Sequence, residues 1–262
     1  MLQSTVLDPR PADAARAAPF PGAVNIPFGE LAGRLHELPP RGAPLFVAGP
    51  RHLASEMIAW LAAGGRPATP VPEDWPAAGQ SAPGLTTPGR YRLWQPSPLV
   101  ARVAAQLRPG RALDLACGCG RDAVYLASLG WRVIAIDRLP DAIERARDLE
   151  RRYLEAGPRI DWRVAELGRD PLPGGAFDLV LAIRFVHRPT YRRLPAQVAD
   201  GGSVLVEAFT PEDRGRAGRR CSGSSVLTEV ELRETWPTLE WVECSAEWQD
   251  RRHVLRAWAR RP

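Results

Sequence analysis

Apolar positions fall into two regimes along the chain. From about residue 97 onward, short apolar runs alternate with stretches whose apolar residues recur every three or four positions. Leu99, Val103 and Leu107 predict a helix over 97–107. Ala112 to Ala116 reads as a buried strand, Arg121 to Leu129 as a helix, and Val133 to Asp137 as a second strand. The best helix is 140–156: Pro140 opens it, Ile143, Ala146, Leu149 and Tyr153 line one face, and Gly157-Pro158 ends it. Ile160 to Val164, Phe177 to Ile183 and Ser203 to Phe209 follow as strands, with helices near 190–199 and 229–235 and last strands near 239–245 and 252–260. Repeated βα units imply an α/β fold: a mostly parallel sheet with helices on both faces.

Between 66 and 89 the periodicity disappears. Six prolines (67, 70, 72, 76, 83, 88) and three glycines occupy that stretch, so it reads as a linker. The expected division is a small α/β domain over 1–65, a Pro/Gly-rich linker over 66–91, and a larger domain over 92–262.

Composition narrows the class. The 262 residues are 45% hydrophobic and 25% charged, which is globular. No uninterrupted apolar run reaches membrane-spanning length, and the start lacks the basic-then-apolar pattern of a signal peptide. Four cysteines, Cys117, Cys119, Cys221 and Cys244, make no disulfide framework, so a cytoplasmic protein with reduced thiols is expected. The net charge of +5 comes entirely from arginine, spread along the chain without a basic block, so nucleic acid is not favoured as a partner.

The chemistry concentrates in Leu113-Asp114-Leu115-Ala116-Cys117-Gly118-Cys119-Gly120-Arg121-Asp122, where a buried strand enters a glycine turn and then a helix. Glycines there let backbone approach a ligand, and the helix start offers free N–H groups. Asp137, nineteen residues after Gly118, closes the next strand, where a carboxylate can accept hydrogen bonds from ribose hydroxyls. Gly118 to Ala123 also fits a dinucleotide fingerprint. Asp114 argues against a pyrophosphate and for a cationic ligand such as S-adenosylmethionine, which carries a sulfonium and an ammonium group. Cys117 and Cys119 lack further partners at ligand spacing, so no metal site is expected.

With these residues the chain resembles the class I S-adenosylmethionine-dependent methyltransferases over about 92–262. Asp-Leu-Ala-Cys-Gly-Cys-Gly (114–120), Asp137 and Phe177-Asp178-Leu179-Val180 carry the likeness; Ala116 stands where the family usually has glycine. Gly120 to Ala127 and Phe185-Val186-His187-Arg188 bring it nearest to the tellurite-resistance-type and thiol methyltransferases. The resemblance implies a Rossmann-like sheet of seven strands, the last antiparallel. It also implies roles: Ala116, Cys117, Gly118 and Gly120 around the methionine moiety, Asp137 on the ribose, Arg138 and Leu139 flanking the adenine, Glu166 and Leu167 near its amino group, and Ile183 and Arg184 facing the methyl group. Arg184 or Arg188 would stabilise a thiolate or carboxylate acceptor, and His187 would take a proton; the alternative for His187 and Arg188 is to cap the helix near 190 or form surface pairs. Trp94 would lid the cofactor or pack. Residues 210–225, with Arg214, Arg216, Arg219, Arg220 and Cys221, suit a cover over a small-molecule substrate.

Val6 to Arg10, Phe20 to Pro27 and Leu45-Phe46-Val47 followed by the helix 53–62 resemble a rhodanese-like domain. The strand leads into Ala48-Gly49-Pro50, where active members carry a cysteine, so sulfurtransferase activity is not expected. The domain would serve packing, homodimerisation or substrate presentation. Beside the methyltransferase reading stand an S-adenosylmethionine-binding regulatory protein without turnover, a nicotinamide-dependent oxidoreductase, and an RNA methyltransferase. The last lacks an Asn-Pro-Pro-Tyr-type motif after the fourth strand, where the chain reads Ala182-Ile183-Arg184-Phe185.

Overall fold

The structure is a computed structural model and describes residues 1–80, 91–154, 160–213, 225–249 and 252–262. It divides into two compact units, Met1–Gln95 and Pro96–Pro262.

The first unit holds β1 (Leu2–Gln3), β2 (Val6–Asp8), α1 (Ala12–Ala17), β3 (Val24–Asn25), a 3-10 segment (Phe28–Glu37), β4 (Phe46–Val47), α2 (Arg51–Ala63), β5 (Thr69–Pro70) and β6 (Tyr91–Arg92). Four of its strands make a parallel sheet in the order β3-β2-β4-β5, and β1 pairs with β6. Leu7, Ile26, Leu31, Met57 and Leu61 form its core. The expected 1–65 boundary is therefore too short, and much of the 66–91 stretch is not a linker. Thr69–Pro70 is an edge strand, Val71 N–H donates to Val47 O at 3.1 Å, and Gly79 N–H donates to Pro19 O at 2.8 Å. An edge strand tolerates proline because one side of its backbone needs no partner, which is why proline density misled the reading. The Arg92 guanidinium lies 4.9 Å from the Trp94 ring centroid, a packing role for that tryptophan.

The second unit follows the periodic pattern closely: α3 (Pro98–Ala104), β7 (Arg111–Leu115), α4 (Arg121–Ser128), β8 (Arg132–Asp137), α5 (Pro140–Tyr153), β9 (Ile160–Val164), β10 (Phe177–Ile183), α6 (Arg188–Tyr191), β11 (Val198–Phe209), α7 (Glu229–Thr235), β12 (Glu240–Gln249) and β13 (Arg252–Arg260). Its seven strands order as β12-β13-β11-β10-β7-β8-β9. β13 runs antiparallel to both neighbours and the other pairings are parallel. This is the expected sheet.

Alternation along each strand sends one set of side chains to each face. Leu113, Leu115, Val180, Ala182, Val204 and Val206 pack with Tyr191, Leu194, Leu232 and Trp236. The opposite set, with Ala112, Leu179, Leu181 and Leu205, is equally buried on the side of α3, α4 and α5. Two elements depart from the sequence pattern. The helix expected over 190–199 is broken into α6 and a 3-10 turn, Leu194–Gln197, because Pro195 has no N–H to continue an α-helix. β11 begins five residues early, across a register shift at the pair Gly201-Gly202.

One glycine of the turn between β7 and α4 is sterically required. A Cβ on Gly120 would lie 2.4 Å from the Trp162 ring and 2.8 Å from Ala146 Cβ, at φ +78°. Gly118, at φ +56°, has no heavy atom within 4 Å of that position. Gly120→Ala should therefore cost roughly 2–4 kcal/mol of stability, clash added to backbone strain, and Gly118→Ala only about 1 kcal/mol. Urea unfolding of the two variants measures this; equal losses would contradict the packing described.

Candidate functional site

The parallel strands all end on one rim of the sheet, and β7 and β8 bring the turn and Asp137 together there. Asp137 is buried; its carboxylate accepts from Gly118 N–H at 2.8 Å and from Leu139 N–H at 3.0 Å. Cys117 N–H donates to Ile136 O at 2.9 Å. The acid thus shapes the glycine turn as well as standing beside it, and two N–H donors leave its carboxylate capacity for further hydroxyls.

Asp114 carries the strongest signal. It is 2% exposed, on the α4 side of the sheet, and its Oδ2 has no hydrogen-bond partner. Burial, then the neighbouring Asp122 and Asp137, push its pKa well above the usual carboxylate range. A buried acceptor without a partner is costly; a cation placed over the turn would relieve the cost. The open space over Gly118 leaves room for such a group to approach.

Ala116 and Arg184, both at φ +56°, are the non-glycine residues with positive φ among the described residues. They follow the last residues of the adjacent strands β7 and β10. Strain of this kind persists where a site over-determines it. Arg184 N–H donates to Glu207 O at 2.6 Å, and its Nε donates to Glu207 Oε1 at 3.1 Å. Glu207, 3% exposed at its side chain, also accepts from Arg256 Nε at 3.2 Å. Arg184 is thus an anchored cation. Ser97, just before α3, donates its N–H to Asp122 Oδ1 at 2.7 Å. Burial pushes the Asp122 pKa up to about 6, against that hydrogen bond and the nearby Arg121.

The remaining expected residues divide. Ile183 is half-buried at the end of β10, one residue beyond the pair Ala182–Leu115. Arg138 is exposed, and Leu139, at 48%, is an exposed apolar side chain next to Asp137, suited to lie against a flat ring. Glu166 is exposed and pairs with Arg169 at 3.1 Å, while Leu167 packs on the core edge. Burial and Asp114 drive the Cys117 thiol pKa upward, and Cys119 Sγ accepts from Arg145 Nε at 3.4 Å. Among the described residues no cluster of His, Cys, Asp or Glu could hold a metal, and Cys117, Cys119 and Cys244 are free thiols.

His187 takes the capping role. Its Nδ1 accepts from Thr190 N–H at 3.3 Å at the start of α6 and lies 2.7 Å from Thr190 Oγ1. Arg188 pairs with Glu231 and donates to Val226 O at 3.0 Å, tying α6 to α7. Arg214, Arg216, Arg219, Arg220 and Cys221 of the expected cover lie outside the described residues. Glu207 and its clamp on Arg184 escaped the sequence reading, since a lone glutamate in an apolar strand is its only trace.

Residues 112–201 match the family described as Methyltransferase domain. An uncharacterized protein of Mycobacterium tuberculosis is 31% identical over 120 residues, 44% of this chain and 43% of that protein. Protein-L-isoaspartate O-methyltransferase of Methylorubrum populi is 34% identical over 110 residues, 41% of this chain and 50% of that enzyme. The matched segment thus spans about half the length of these relatives or less. The N-methyltransferase NodS of Bradyrhizobium japonicum, solved with S-adenosylhomocysteine, superimposes with a TM-score of 0.51 at 20% identity, covering 62% of this chain and 84% of its own. The second unit therefore has the class I methyltransferase fold. No helix among the described residues is long and apolar enough to cross a membrane.

A raised carboxylate pKa means that the native state holds its proton more tightly than the unfolded chain. Its favourable contribution is complete below about pH 4 and is lost as pH rises through the folded pKa. Asp114→Asn should therefore stabilise the ligand-free protein by about 1–2 kcal/mol at pH 8, with the gain shrinking toward pH 4. The same variant should lose at least tenfold in affinity for S-adenosylhomocysteine. Denaturant melts across pH and a calorimetric titration check both halves; a destabilised variant with unchanged affinity would contradict them.

Proposed function

We propose that the second unit binds S-adenosylmethionine and transfers its methyl group to a small nucleophilic acceptor: a thiol, a chalcogen or metalloid species, or a carboxylate. The observation that carries the reading is the buried Asp114 carboxylate with an unpartnered oxygen beside a glycine turn shaped by Asp137. A cationic adenosyl amino acid satisfies that oxygen, whereas a pyrophosphate would repel it. The cofactor supplies an electrophilic methyl group on a sulfonium. The chain's own residues then bind and orient. Asp114 meets the ammonium group, the Ala116–Gly120 backbone meets the methionine moiety, Asp137 accepts from the ribose hydroxyls, and Arg138, Leu139, Glu166 and Leu167 border the adenine. Ile183 and the Arg184 turn face the transferred methyl group.

The methyltransferase-domain match over 112–201 and the fold shared with NodS support this reading. The relative in Methylorubrum populi and the ubiquinone biosynthesis O-methyltransferase of Xanthomonas axonopodis, 31% identical over 117 residues, keep oxygen acceptors in play. The first unit is a rhodanese-like module without the catalytic cysteine, since its β4 leads through Gly49-Pro50 into α2 and the chain has no cysteine before Cys117. It serves packing, homodimerisation or substrate presentation rather than sulfur transfer. The free thiols fit a cytoplasmic setting.

Incubation of the full chain with S-adenosylmethionine and a panel of small thiols, metalloid oxyanions and carboxylates should release S-adenosylhomocysteine with at least one of them. Tight binding with no turnover on any class would instead favour a sensor of the cofactor.

A further inference from the structure

The loop after β10 touches the turn after β9, although two strands lie between them. In the order β10-β7-β8-β9 the outer two are about 14 Å apart, at a spacing of about 4.8 Å per strand. His187 and Gly168 make the contact. A Cβ on Gly168 would lie 2.9 Å from His187 Nε2 and closer still to Cε1, so the imidazole rests directly on the glycine backbone. Between the two ends of this bridge lie the ends of β7 and β8, which carry the glycine turn and Asp137.

Neither partner yields easily. His187 is fixed through Nδ1 to the N–H and Oγ1 of the buried Thr190. The buried Tyr191 donates its hydroxyl proton to Phe185 O and holds the same loop from the core. Gly168 stands at φ +103°, a backbone that side chains with a Cβ rarely adopt. Its turn is closed on itself: Asp170 N–H donates to Glu166 O at 2.9 Å, and Asp170 Oδ2 accepts from Glu166 N–H at 2.7 Å. The base of the turn is placed by Ala165 N–H, which donates to Asp137 O at 3.0 Å, and by Leu167 on the core. Gly168 is the tip, and the imidazole under it stops the tip from tilting.

The cofactor reading puts the adenine against this turn, at Glu166 and Leu167. Adenine and hypoxanthine present reversed donors and acceptors at N1 and C6. A turn tells them apart only if it is held to within about half an ångström.

Resting on the methyltransferase reading, we propose that His187 is a positioning residue: its ring, seated on Gly168, fixes the turn that borders the adenine and so sets the preference of the site for adenine over another purine base.

The test is calorimetric titration of the full chain with S-adenosylhomocysteine and S-inosylhomocysteine, which differ only in the base. The unaltered protein should prefer the adenine compound by roughly tenfold or more. His187→Asn removes the ring but keeps a side chain able to cap α6. Its urea midpoint should hold while the preference falls to about threefold or less. The loss should come from weaker S-adenosylhomocysteine binding, with S-inosylhomocysteine affinity unchanged, since the ribose and methionine contacts are untouched. Gly168→Ala drives the turn off the ring and should have a similar effect. In the His187→Asn background it should add less than about twofold, because the ring it meets is gone. His187→Asn decides alone if Gly168→Ala does not fold. Equal binding of the two compounds by the unaltered protein, an unchanged preference in His187→Asn, or additive losses from the two substitutions overturns the proposal and leaves the methyltransferase reading standing. If the unaltered protein binds neither compound, the methyltransferase reading fails and this role fails with it.

Discussion

A single buried carboxylate organises the second unit's chemistry. Asp114 sits in the central strand β7 with apolar neighbours on either side, and its Oδ2 has no partner. Every surrounding feature either tolerates or exploits that cost. The turn above it uses a positive φ at Ala116, Gly118 and Gly120, so backbone rather than side chains faces the carboxylate. Asp137 pins the turn from the next strand. The adjacent strand β10 ends in its own left-handed residue, Arg184, locked by the buried Glu207. The sheet therefore presents two strained tips side by side, one acidic and one cationic, at the edge where class I methyltransferase folds place their ligands.

The two halves of the rim differ in kind. The half formed by β7, β8 and β9 is acidic and open, suited to a cation attached to an adenosyl group. In the half formed by β10, β11 and β13, Arg184, Arg252 and Arg256 are each held by a carboxylate among the described residues. Two histidines are held by threonines near it: His187 caps α6 beside Thr190, and His253 Nδ1 lies 2.6 Å from Thr210 Oγ1.

Much of this was legible in the chain. The period-two and period-3.6 patterns located β9, β10 and α7 to the residue, because each is bounded by clear turn residues. The spacing of Asp114, Gly118, Gly120 and Asp137 marked residues that the sheet does bring together at its rim. Other features depend on long-range pairing that no local pattern encodes. Residues 66–80 looked like linker because proline density masks an edge strand. His187 read equally as a base or as a helix cap, because capping depends on where α6 begins. Glu207 and His253 stayed hidden because their partners, Arg184 and Thr210, are 23 and 43 residues away.

Calorimetric titration of the unaltered full-length protein with S-adenosylmethionine, S-adenosylhomocysteine and NAD tests the central claim most directly. The account predicts that both adenosyl compounds bind, with release of protons as the Asp114 carboxylate ionises against the incoming ammonium group, and that NAD does not. Preference for NAD, or no adenosyl binding, would mean that the buried carboxylate serves some other purpose and that the methyltransferase reading fails.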